Sequence, residues 1–156
     1  MWRFQFEIAS GVAALVVCAV AAFRSAVPGA LSRPLFGAAV ALLLLWLGNY
    51  LVGLGSPALE PAMLGKRHFC IWETLLYGVP PALVAFAITR HLYPLRMKSS
   101  WAALALVAGL LPALYMQIAC MYSPLHTLQF HILPGAAVAL LGAGAAWLWQ
   151  RRGHGV

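Results

Sequence analysis

Residues 35–54, LFGAAVALLLLWLGNYLVGL, run for 20 residues without a charged side chain. A helix needs about 20 apolar residues to cross the hydrocarbon of a bilayer, so this stretch reads as a transmembrane helix. Comparable stretches lie at Ile8–Phe23, Ile71–Thr89, Trp101–Met121 and Phe130–Trp149. The first is short by itself and is expected to recruit residues 4–7. Only short connections remain between the five, too short to hold a soluble domain. The expected architecture is therefore all-α: residues 1–156 form one polytopic bundle of five transmembrane helices.

Composition supports the same reading. Apolar residues make up 63% of the chain, charged residues 8%, and the mean hydropathy is +0.88. Soluble domains carry about 25% charged residues because something polar must face water. The excess apolar surface here is expected to face lipid. The net charge of +7 and the pI of 9.9 would suggest nucleic acid in a soluble chain. In this one the basic residues are scattered singly and in pairs without a patch, so direct nucleic-acid binding is not expected.

The scatter does carry orientation. One set of connections holds Arg3, Lys66 and Arg67; the other holds Arg24, Arg33, Arg90, Arg96, Lys98, Arg151 and Arg152. Cytoplasmic loops are enriched in Lys and Arg, which places the N-terminus outside and the C-terminus in the cytoplasm. All three acids, Glu7, Glu60 and Glu73, then fall on the exported side. A cleaved signal peptide over residues 1–26 is disfavoured. Glu7 would sit in its n-region, and cleavage would leave Arg33 at the exported end of the next helix.

Polar side chains are costly within a membrane, so their placement is informative. Glu7, Ser10, Asn49, Glu73, Gln117 and His131 all fall in the exported half, together with Cys70 and Cys120. His68, Met63, Met116, Met121 and His126 surround the two cysteines in sequence, whereas Cys18 lies toward the other leaflet. Cys70, Glu73 and Tyr77 are spaced i, i+3, i+7 and are expected to share a helix face. The third and fourth helices are consecutive, so antiparallel packing would bring Cys70 and Cys120 to one depth. Thiolate, thioether and imidazole suit soft or borderline ions: Cu(I), Zn, Cd or Hg. Two cysteines facing an oxidising compartment could instead pair as a disulfide, or remain buried thiols that only pack. His126 and His131, five apart, are not expected to share a helix face. The mid-span prolines Pro80, Pro81 and Pro112 predict kinks, and Pro134 is placed in the first turn of the last helix. Gly142 and Gly144 are assigned to helix packing. There is no Asp, no Ser–His–acid set and no Gly-rich phosphate loop, so no enzymatic activity is expected.

Further motifs carry a resemblance. RHFC at 67–70, PP at 80–81, PLR at 94–96, Gly109, Cys120, SPLH at 123–126, HILPG at 131–135 and the pair Arg151–Arg152 follow one another in a familiar order. With FQFE at 4–7 and VPG at 27–29, the chain resembles the NrsF-type integral-membrane anti-sigma factors, negative regulators of an extracytoplasmic-function sigma factor. The resemblance implies a multi-pass protein of the bacterial inner membrane that sequesters such a factor at its cytoplasmic face. It also implies that Cys70 and Cys120 are a sensor pair acted on by heavy metal or oxidant, with release of the sigma factor. His68, Glu73, Met121, His126 and His131 are the candidate auxiliary ligands. Arg24, Arg33, Arg90, Arg96 and Lys98 are the candidate sigma-factor contacts. The family resembled has six helices, and its N-terminal segment and first helix have no counterpart in this sequence. A reading from a different class is a small accessory subunit of a membrane complex, with inert cysteines.

Overall fold

The computed structural model describes residues 2–60, 67–91, 97–120 and 122–153, and every regular element among them is helical. The helices are α1 (Trp2–Ser25), α2 (Arg33–Gly55), α3 (Cys70–His91), α4 (Met97–Ala119), the short α5 (Pro124–Thr127) and α6 (Leu133–Gly153). A five-residue π-helical turn, Leu128–Ile132, joins α5 to α6 without interruption. Five segments of 24, 23, 19, 20 and 28 residues are long and apolar enough to cross a membrane. The first begins at Trp2 and so includes residues 4–7.

α4 is the hub, packed against α6, α3 and α1, while α2 leans on α1 at the edge. Small residues make this possible. Lipid tails are as apolar as leucine, so helices in a bilayer associate through close backbone approach more than through hydrophobic burial. Ala14, Ala22, Ala105, Ala108, Ala113 and Ala146 are buried, whereas Leu44, Leu76, Leu140 and Leu141 face outward. α4 and α6 approach closest at Gly109 and Gly135, where a Cβ on either residue would collide with the backbone of the other. Gly142 likewise abuts Ala105, but Gly144 faces open space and is not a packing position.

α1 begins, α2 ends, α3 begins and α4 ends at one end of the bundle, and side chains tie these ends together. Arg3 donates to the Ser56 hydroxyl at 3.1 Å and to its carbonyl at 2.9 Å. Tyr122 Oη accepts the Ala58 N–H at 2.8 Å, and its ring meets Phe4 edge-on at 5.6 Å. Burial pushes the Tyr122 phenol above its ordinary value, partly opposed by the Ala58 hydrogen bond. At the opposite end, Ser25 and Ser100 lie 3.4 Å apart, and Trp101 packs against Phe86 and Trp149.

The last segment corrects the expected placement of Pro134. Helix begins at Pro124, a good first-turn residue because its missing N–H has no partner to lose there. Pro134 therefore falls mid-segment. It has no N–H to offer the Phe130 carbonyl, and its ring would crowd that carbonyl in a regular α-helix. The chain responds by widening: the Leu133 N–H reaches back five residues to the Leu128 carbonyl. The π turn is the local consequence of one proline.

Candidate functional site

Cys70 opens α3 and Cys120 follows the last residue of α4, and their Sγ atoms lie 3.6 Å apart. Cys70 is 3% exposed, and its thiol donates to the Arg67 carbonyl at 3.3 Å. Cys120 is half-buried and lies 3.4 Å from His126 Nε2 on the next segment. The His126 ring stacks on Phe130 at 4.7 Å and meets the His131 ring edge-on at 5.2 Å. The two Sγ atoms and one ring nitrogen from each histidine all lie within 4.8 Å of one another.

The π turn brings the histidines together, contrary to the expectation from their spacing. Residues five apart point about 140° away from each other on a regular α-helix. One inserted residue moves position i+5 to where i+4 would stand, and residues four apart are neighbours on one face.

Thr74, which sequence reasoning missed, holds the arrangement from α3. It is fully buried, with Oγ1 2.9 Å from the Cys70 carbonyl, 3.3 Å from the Phe130 carbonyl and 3.0 Å from His131 Nδ1. The hydroxyl has one proton, and carbonyls can only accept. With that proton given to the nearer carbonyl, that of Cys70, Oγ1 accepts from His131 Nδ1–H. The ring nitrogen left without a proton is then Nε2, which is buried and has no hydrogen-bond partner among the described residues. Phe130 is the residue whose carbonyl Pro134 cannot serve, and Thr74 Oγ1 stands 3.3 Å from that oxygen. The i+4 spacing from Cys70 was the signal for Thr74. The buried face of α3 is Cys70–Thr74–Gly78, not Cys70–Glu73–Tyr77.

The other candidate residues lie apart from this cluster or outside the description. Glu73 pairs with Arg67 at 3.2 Å, and His68 is exposed. Cys18 is buried with Ala21 and Ala39 in a separate group. Met121 lies outside the described residues. Of the basic positions, Arg24 and Arg33 are exposed at the end of the bundle opposite the cysteines. Arg90 and Lys98 lie on helices at that same end, their side chains outside the described residues, as is Arg96 entirely. Arg151 is exposed there and stacks its guanidinium over Trp147, 3.6 Å from the ring centre.

No curated protein and no solved structure matches this sequence. A family model does: that of NrsF, described as negative regulator of sigma F, over residues 1–151. A sigma-factor regulator is not an enzyme class. With a match across nearly its whole length, the chain belongs to the NrsF family of negative regulators of a sigma factor.

Proposed function

We propose that this protein is a multi-pass anti-sigma factor of the bacterial inner membrane. It holds an extracytoplasmic-function sigma factor at its cytoplasmic face and releases it when a soft metal ion or an oxidant acts on Cys70 and Cys120. The observation that carries this reading is the approach of two thiols to 3.6 Å beside two imidazoles, in a chain of a sigma-regulator family. The excess of basic residues at the opposite end supports a cytoplasmic location there, with the cysteine cluster on the exported side. Arg24, Arg33, Arg90, Arg96 and Lys98 are then available to an acidic surface of the sigma factor and to anionic lipid heads.

Release works as a population shift. Moving a bundle from 1:99 to 99:1 requires about 5.5 kcal/mol of differential affinity for the two states. Structural zinc sites bind with about 10–16 kcal/mol, so an ion favouring one arrangement of α3, α4 and α6 has enough to give. The cluster joins the start of α3, the end of α4 and the α5–π-turn stretch that leads into α6.

A mild-detergent pull-down of the tagged chain from its native host, with and without heavy metal, tests the proposal. A sigma factor recovered without metal and lost with it supports it, provided Cys70→Ser and Cys120→Ser keep the factor bound in both conditions. Recovery of a stable set of membrane subunits and no sigma factor would overturn it in favour of an accessory role.

A further inference from the structure

We propose that the sensor is a four-coordinate site for a divalent d10 ion, zinc or cadmium, built from Cys70 Sγ, Cys120 Sγ, His126 Nε2 and His131 Nε2. The proposal rests on the reading of Cys70 and Cys120 as the sensor pair, and adds which two of the candidate ligands complete the site, the charge of the ion and its coordination number.

Two of the separations match those that a tetrahedral ion would impose. Zinc–sulfur bonds of about 2.3 Å at tetrahedral angles set two sulfurs about 3.8 Å apart, and a sulfur and a nitrogen about 3.6 Å apart. The corresponding separations here are 3.6 Å for Cys70–Cys120 and 3.4 Å for Cys120–His126. A disulfide needs about 2.05 Å, and two sulfurs in line across an ion need about 4.6 Å for bonds of the same length. The 3.6 Å spacing is that of two reduced thiols in contact, and a tetrahedral ion fits it with little movement. The fourth donor is His131, whose buried Nε2 has no hydrogen-bond partner among the described residues and carries a free lone pair when the ring is protonated at Nδ1 beside Thr74. Metal-bound histidines regularly donate their other N–H in this way, which sets the tautomer and the ring orientation.

Charge points to a divalent ion. On binding, each thiol loses its proton to solvent and both sulfurs bond the metal, while the neutral imidazoles contribute lone pairs. Two thiolates then balance a 2+ ion and leave no net charge where helix ends meet the membrane; a monovalent ion would leave one negative charge uncompensated. Cys70 and His131 are the enclosed half of the site. Half-buried Cys120 and His126 are the half through which an ion enters.

The test uses the purified full chain in detergent, with no sigma factor present. Zinc is added, and X-ray absorption counts its ligands; Co2+ substitution reports geometry by its visible spectrum. The expected result is one ion per chain, with two sulfurs at about 2.3 Å and two imidazole nitrogens at about 2.0–2.1 Å. A tetrahedral Co2+ spectrum with thiolate charge-transfer bands should accompany it. His126→Ala should weaken zinc binding by more than the about 10–100-fold that outer-shell changes cost. His131 is fully buried and its variants can fail to fold, so the imidazole count on the unaltered chain is the deciding measurement. Two sulfurs without imidazole, and unaltered affinity in His126→Ala, would overturn the four-ligand site while leaving the cysteine pair as sensor. Zinc binding unaffected by Cys70→Ser and Cys120→Ser would overturn both.

Discussion

The hydroxyl of Thr74 stands 3.0 Å from Nδ1 of His131, with both side chains fully buried and carried by different membrane-spanning segments. A buried polar pair of this kind is costly to break from one side. The group left behind loses that hydrogen bond, at about 1–3 kcal/mol. Thr74→Val keeps the shape and removes the hydroxyl. The variant is expected to lose about that much stability in a thermal or denaturant scan in detergent, and about 10–100-fold in zinc affinity. Thr74→Ser restores the hydroxyl and should recover both. Recovery of stability without recovery of affinity would separate a packing role from a role in orienting His131.

The π turn makes a second, opposite kind of prediction. Pro134→Ala supplies the N–H that the Phe130 carbonyl lacks, so the segment can close into a regular α-helix. Removing a proline from a helix interior relieves about 3 kcal/mol of strain in ordinary contexts. In this segment, relief costs the alignment of His126 with His131. The expected variant is at least as stable as the parent and binds zinc more weakly. A more stable protein with unchanged zinc affinity would mean that the turn is not what aligns the two histidines.

How much of this could be read from the sequence divides along a physical line. Five apolar stretches of membrane length announce five helices, because span length depends only on local composition. The meeting of Cys70 with Cys120 also follows from position, since consecutive antiparallel helices share their ends. The π turn does not, although its cause, Pro134, is in plain view. An assumed helix start at Phe130 put the proline in a first turn, where it is harmless. With the start at Pro124, the same proline sits mid-helix and must distort it. Thr74 was hidden for another reason. Its three partners come from two segments, and the i, i+3 and i, i+4 faces of a helix cannot be told apart until a neighbour chooses one.

Metal should stabilise the fold as well as signal. An ion that binds only the folded chain adds about 2.7 kcal/mol at a concentration 100 times its Kd. The thermal midpoint in detergent is expected to rise with zinc, to fall back when a chelator is added, and to ignore zinc in Cys70→Ser. A midpoint unmoved by zinc in the parent chain would argue against a site formed from three separate segments.

Gly109 and Gly135 predict the mechanical limit of the bundle. Neither can accept a Cβ without pushing the other's backbone away, and the α4–α6 contact is the most extensive among the described helices. Gly109→Val should cost at least the about 1–3 kcal/mol of an overpacked core. Because α6 continues directly from the π turn, zinc binding should fall with it. Gly144→Ala is the control: nothing lies within 4 Å of the added methyl, and both stability and zinc binding should hold.

Orientation and access can be tested together through the cysteines themselves. In a Cys18→Ser background the remaining thiols are Cys70 and Cys120, both at one end of the bundle, the first 3% exposed and the second half-buried. With that end outside, a membrane-impermeant maleimide added to intact spheroplasts should label the chain, and mass spectrometry should find the adduct first on Cys120. Zinc added beforehand should protect it, since a metal-bound thiolate is no longer a free nucleophile. Labelling only after lysis would reverse the orientation and place the sensor in the cytoplasm. Labelling from outside without protection by zinc would leave the orientation standing and remove the metal from Cys120.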